Sequence, residues 1–283
     1  MSPTQTGNRF STRTNHWQPI ASESGDGIVT FRLRSWSDFF EFIETRILQT
    51  TATSQHVYVW RGHRRDDWSL STSLDRLLDR LGLLSLSTKE LEERSDGHLE
   101  AFRYAARGRR GQNPAKLSAN DWWALGQHYG LATPLLDWSR SPFAAAYFAF
   151  ETLVRDSTEY RVVFGLDQRA IELRNLDLEE GPSFEKGRLP IIQFFDPLSD
   201  ENPRLVSQGG LFTRAPIGMP IDKWVVDAFS GSQAAVLVRI EIPNSDRNIC
   251  LRSLNHMNIN HASLFPDLHG SSRFTNLKLE LGF

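Results

Sequence analysis

Leu131-Ala-Thr-Pro-Leu-Leu-Asp-Trp-Ser-Arg-Ser-Pro-Phe-Ala-Ala-Ala-Tyr-Phe-Ala-Phe150 is the stretch whose reading decides the fold. Pro134 has no N–H to donate and disfavours helix at Thr133, so the apolar run 131–138 reads as a short extended segment. Ser141 followed by Pro142 is a helix start, a capping hydroxyl and then a residue pre-set for the first helical position. Residues 143–150 are apolar on nearly every face, which predicts a buried helix. Immediately upstream, Asp121-Trp-Trp-Ala-Leu-Gly-Gln-His-Tyr-Gly130 reads as a helix capped by Asn120 or Asp121, with Gly130 supplying the left-handed residue that ends it. Gln127, His128, Tyr129, Thr133, Asp137 and Ser139 sit at or just beyond the ends of these apolar elements, where a rigid scaffold presents working side chains. A satisfied buried network is the competing reading, with His128 bonded to a backbone carbonyl and Asp137 capping the helix that follows.

Outward from this frame, Val57-Tyr-Val-Trp-Arg61 reads as a buried strand ending in Arg61-Gly62-His63. A guanidinium at a strand end suits a phosphate or carboxylate through its planar fork, and the glycine is expected to let a ligand approach the backbone. The same arginine can equally pair with an acidic side chain. Arg64 to Asp67 read as a solvated turn, with Trp68 returning the chain to the core, and Ser71-Thr-Ser73 as the cap of a helix from about Leu74. Residues 87–106 read as a second helix without a full capping box, its early glutamates suited to a helix N-terminus. It leads into Arg103, Arg107, Arg109 and Arg110, interleaved with Gly108 and Gly111, the best candidate in the chain for touching nucleic acid or an acidic partner.

The N-terminal residues 1–27 are polar and predict a flexible arm, leaving 28–283 as one α+β domain. Within it, 28–33, 160–166, 191–195 and 234–242 read as strands. A short helix is expected through Leu173, 175–190 as an acidic surface loop, and 246–257 and the segment capped by Asn260 as helices. The expected architecture is a small central mixed or antiparallel sheet flanked by helices. At 283 residues and 40% hydrophobic content the chain can build an ordinary core. A net charge near −2 gives no general electrostatic case for nucleic acid. One cysteine, Cys250, excludes an intrachain disulfide framework and suits a reducing compartment. The absence of a long apolar run argues against a membrane span, so the expected location is the cytoplasm.

Several motifs in one order, Trp60-Arg-Gly62, Trp68-Ser-Leu-Ser-Thr-Ser-Leu-Asp-Arg76, Gln127-His-Tyr-Gly130, Leu135-Leu-Asp-Trp-Ser139, Tyr147-Phe-Ala149, Gln208-Gly-Gly-Leu-Phe212 and Leu264-Phe-Pro-Asp-Leu268, resemble the FRG-domain family. One departure is that the family usually carries Pro-Thr-Arg before Leu-Leu-Asp-Trp, whereas here Ala132-Thr-Pro134 stands in that place. FRG-like proteins look like components of bacterial toxin and phage-defence systems, a resemblance that suits either an effector modifying a protein or nucleic-acid target, with room for an antitoxin as partner, or a sensor that binds a phage product.

Metal hydrolysis and serine hydrolysis lack their spacings, and neither a P-loop nor a dinucleotide glycine fingerprint is present, so no metal is expected. The order of Arg61 on a first strand, 135–139 on a second and Gln208 beside a third is similar to the three-part layout of ADP-ribosyltransferases. That resemblance implies NAD as substrate, bound with Arg61 on its pyrophosphate or ribose and Gly62, His63, Gln127, Thr133 and Ser139 around it. It also implies Tyr129 and Trp138 stacked on rings, His128 positioning a hydroxyl, and Asp137 or Gln208 stabilising the charge that develops at the breaking glycosidic bond. The alternative is a non-catalytic module binding a nucleotide or a partner as a sensor, a reading that Pro134 in place of the family arginine favours.

Overall fold

Strand-period alternation and helix-period stripes assemble here into a single open sheet covered on both faces. The computed structural model describes residues 18–20, 25–49, 56–112, 114–153, 158–180, 191–197 and 209–282. In chain order the strands are β1 (Gln18–Ile20), β2 (Asp26–Arg32), β3 (Tyr58–His63), β4 (Leu135–Ser139), β5 (Tyr160–Asp167), β6 (Gln193–Phe195), β7 (Gly210–Arg214) and β8 (Ser232–Pro243). The helices are α1 (Ser37–Phe42), continuing as a π-helical segment Ile43–Leu48, then α2 (Ser73–Arg80), α3 (Thr88–Ala105), α4 (Ala119–His128) and α5 (Pro142–Phe150). They continue with α6 (Gln168–Glu180), α7 (Ile221–Ala228), α8 (Arg247–His256), α9 (His261–Leu264) and α10 (Leu268–Leu281). The α+β architecture with one mixed sheet is as the sequence predicts.

The sheet order is β1-β2-β8-β5-β3-β4-β7-β6. Only β2 and β8 run parallel; the other neighbours are antiparallel. Register on the two sides of β3 differs sharply. Against β5 it pairs along its whole length, from Tyr58↔Asp167 to His63↔Val162, while against β4 it pairs only at Trp60↔Ser139. Beyond Trp60 the sheet splits.

Alternation sends Trp60, Val163, Val238 and Ile240 into one core, under α1, α5 and α8 to α10. Val59, Val162, Phe164 and Leu237 enter a second core on the opposite face, under α6 and α7. A third apolar cluster, built on Leu74, Leu91, Leu99 and Trp123, seats α2 to α4 over Leu135 of β4 and Phe212 of β7. Among the described residues no helix is long and apolar enough to cross a membrane.

Local signals explain most boundaries. Ser141 caps α5 by accepting from the Ala144 N–H, with Pro142 in the first turn, and Thr72 and Asp75 close a capping box on α2. Some expectations are corrected. The α4 cap is Ser118, with Asp121 completing its box, and α3 does have a full box, from Ser87 to Glu90. Trp68 does not return to the core; it stays 40% exposed, and Leu70 is the residue buried there. The acidic stretch expected to be a loop from 175 is helical through Glu180, while 181–190 lies outside the described residues. Gln18–Ile20, inside the stretch expected to be a flexible arm, pairs with β2.

Candidate active-site cleft

The split between β3 and β4 makes a cleft, and strand alternation decides what faces it. In β3, Arg61 and His63 project to one side and Gly62 to the other. A Cβ on Gly62 would lie 1.9 Å from the Ala145 carbonyl oxygen and 2.7 Å from the Ala149 nitrogen. The glycine therefore lets α5 lie directly on the strand, a packing role that replaces the expected opening of the backbone to a ligand.

Arg61 is held from two sides. Its Nε donates to His63 Nε2 at 3.1 Å and its Nη1 to the Asp137 carbonyl oxygen at 2.7 Å, with the Asp137 carboxylate 3.6 Å away. Because a guanidinium N–H can only donate, His63 Nε2 must offer a lone pair, which assigns the neutral imidazole with its proton on Nδ1. The electrostatics agree: burial first, then the nearby Arg61 charge, pull the His63 pKa down to about 3. His63 is a neutral strut, not an acid or base. Burial also lowers the Arg61 pKa, and the Asp137 charge opposes that shift.

Asp137, the one exposed side chain of β4, is fixed in turn by Gln127, whose Nε2 donates to Oδ1 at 2.7 Å. The Gln127 amide oxygen accepts from the Thr133 hydroxyl. The Thr133 N–H donates to Ser73 Oγ at 2.9 Å, and its carbonyl accepts from the Leu74 N–H at 3.0 Å, so α2, α4 and β4 are knitted together behind the carboxylate. Asp137 does not cap α5, since Ser141 fills that place.

Trp60, Arg61, Gly62, Asp137, Trp138 and Ser139 line the cleft together with Phe148 of α5 and Phe265 beyond α9, enclosing about 320 Å³. A few convergent polar groups on aromatic walls are what a small-molecule site requires. Trp138 belongs to the frame rather than to a stacking platform: it is 3% exposed in the second core and donates its indole N–H to Thr213 Oγ1 at 2.8 Å. The Ser139 hydroxyl accepts from the Ser141 N–H at 3.0 Å and shapes the β4–α5 turn.

Neither His128 nor Tyr129 lines this cleft. Tyr129 is 73% exposed and borders a separate groove, and the His128 ring packs edge-on against it at 4.9 Å. Gln208 lies outside the described residues. Its neighbour Gly209 accepts the Arg140 N–H through its carbonyl, beside the Ser139↔Gly210 pair. Arg76, which closes the Trp68–Arg76 motif, donates from Nη1 to the Ser71 carbonyl at 2.6 Å, and its charge lowers the pKa of both Arg61 and His63. Phe148 and Phe265 were missed as lining, because an apolar residue facing a cleft has the same sequence signature as one facing a core.

An open mixed sheet, split over a fixed guanidinium–carboxylate pair, defines a single-domain α+β protein with an anion-competent cleft. Compared with known families, residues 56–158, from β3 through α5, match the FRG domain. No curated protein and no solved structure matches the chain.

Proposed function

We propose that the β3–β4 cleft binds NAD and transfers its ADP-ribosyl group to a macromolecular acceptor or to water. The observation that carries this reading is the Arg61–Asp137 pair inside the split: a cation for the pyrophosphate or ribose and, within 3.6 Å, a carboxylate able to face developing positive charge. The strands bearing Arg61, Asp137 and the segment after Gln208 are β3, β4 and β7, immediate neighbours in that order, which supports the three-part layout inferred from sequence. A cleft of about 320 Å³ suits the nicotinamide–ribose end of the dinucleotide. Phe148 and Phe265 replace Tyr129 and Trp138 as the ring-facing walls.

In this reading the bond between ribose C1′ and the pyridinium nitrogen breaks, and its electron pair leaves with nicotinamide, which departs neutral. The C1′ centre becomes oxocarbenium-like. A carboxylate tethered by Gln127 stabilises that charge more than it stabilises the ground state, which is the condition for lowering the barrier. An oxygen or nitrogen of the acceptor then bonds to C1′ and gives up its proton to the medium; with water as acceptor the product is free ADP-ribose. No metal has a part in this scheme.

Incubating the protein with adenylate-labelled NAD and cell lysate tests it, reading nicotinamide release and label transfer separately, with Arg61→Ala as the control. Transfer that the control lacks supports a transferase, and release without transfer a glycohydrolase. Neither signal from a folded protein overturns the proposal in favour of a non-catalytic nucleotide-binding module.

A further inference from the structure

Away from the cleft, the end of α3 and the connection to α4 form a second concave surface. Between 101 and 120 the chain carries Arg103, Arg107, Arg109, Arg110 and Lys116 and no acidic residue, in a protein whose net charge is −2. The groove, about 850 Å³, has Phe102, Ala106 and Leu125 among its walls, with Arg109, Arg110 and Tyr129 at its borders. Arg109 and Arg110 are the arginines at the groove itself, and the cations of this segment lie against aromatic rings. Arg110 lies 4.7 Å and Arg103 5.8 Å from the Trp122 ring centre, and Arg107 lies 4.7 Å from that of Tyr104. Tyr104 and Tyr129 are 69% and 73% exposed, a large outlay of ring surface for residues with no core to fill. Gly108 and Gly111 turn the chain here with φ of +72° and +82° and open space around them.

We propose that this groove binds single-stranded nucleic acid, the arginines tracking phosphates and the exposed tyrosines offering stacking platforms. Interleaved cations and ring faces are the chemistry that holds unpaired bases, because every base has a π-face and every nucleotide a charge. A duplex keeps its bases stacked and has no use for the tyrosines; an acidic peptide has no use for two open ring faces. The groove is tied to the cleft through the end of α4: Gln127 in its final turn holds Asp137, and Tyr129, the residue following the helix, borders the groove. Resting on the reading of the cleft as an ADP-ribosyl donor site, a strand laid in this groove is the class of acceptor presented to it.

Fluorescence anisotropy of the full chain with labelled single strands of about 12 nucleotides, matched duplexes and an oligoglutamate competitor tests the proposal over a range of salt. Single strands should bind best, and Arg107→Glu/Arg109→Glu should weaken binding at least about tenfold and flatten the log–log salt slope by about 1.4, some 0.7 for each lost phosphate contact. The same variant should release nicotinamide from NAD into water as the wild type does. Tyr129→Ala should lose about tenfold in affinity at every salt concentration, with little change in slope. Absence of single-strand binding, equal affinity for duplex or oligoglutamate, or a double variant that binds like the wild type would overturn the groove assignment. Strand binding by a protein that never cleaves NAD would instead refute only the donor-site reading.

Discussion

Replacing Gly62 by alanine should unseat α5 from the sheet. The added Cβ would sit 1.9 Å from the Ala145 carbonyl oxygen and 2.7 Å from the Ala149 nitrogen, where ordinary contacts need about 3.5 Å. Both obstacles are backbone, so no side chain can swing aside, and α5 must retreat by roughly 1.5 Å along a seam packed by Ala145, Ala146 and Ala149. Overpacking of this kind costs about 3 kcal/mol, which for a chain of this size lowers the melting temperature by about 6–12 °C. Urea unfolding should show a reduced midpoint at unchanged slope. Because α5 also brings Phe148 to the cleft, NAD turnover should fall with stability. Gly97→Ala is the internal control: Gly97 is within α3 with open space around it, and alanine there should stabilise by about 0.5–1 kcal/mol. A Gly62→Ala protein melting within about 2 °C of the wild type would refute the close seating of α5 on β3.

Asp137→Asn should leave stability within about 1 kcal/mol, since the side chain is exposed, while kcat for nicotinamide release falls by about 10²–10³; equal turnover would remove the carboxylate from the mechanism. His63 gives a pH prediction. Its folded pKa, about 3, lies below that of the unfolded chain, so its contribution is whole above about pH 6.5 and is progressively lost as the pH falls towards 3, reaching about 2–3 kcal/mol by pH 4.5. His63→Gln, whose amide oxygen can still accept from Arg61, should flatten the urea midpoint between pH 7 and 4.5, and a profile parallel to the wild type would contradict the neutral assignment. Trp138→Phe should cost about 1–3 kcal/mol by leaving the Thr213 hydroxyl unpaired with little change in KM for NAD; a large rise in KM with stability intact would restore Trp138 as a stacking residue.

What the sequence made legible was local. Ser141-Pro142, Gly130 and Asn260 are short-range signals, and each marks the boundary it predicts. Asn120 and Asp121, the caps the sequence suggests for α4, lie within a turn of the true one, Ser118, because all three residue types suit a cap and only Ser118 sits where its hydroxyl meets the Asp121 N–H. The polar length of α6 was hidden because only Ile171 is buried, too little to print a helical stripe. In the site, Arg61 and His63 two residues apart on a strand had to share a face, and their contact follows from that. The facing of Trp138 and Tyr129 was not readable. Trp138 turns into the core because β4 pairs with β7 along its length, a long-range fact, and Tyr129 lies just past the end of its helix, where periodicity ceases to apply.

Whether the split between β3 and β4 holds NAD through Arg61 is tested most directly by the equilibrium binding of NAD to the wild type and to Arg61→Ala, by calorimetry on protein shown to be folded. Saturable binding of one NAD per chain is expected, weakened about tenfold or more when the guanidinium is removed. No binding to the folded wild type, or equal affinity in the variant, would contradict it.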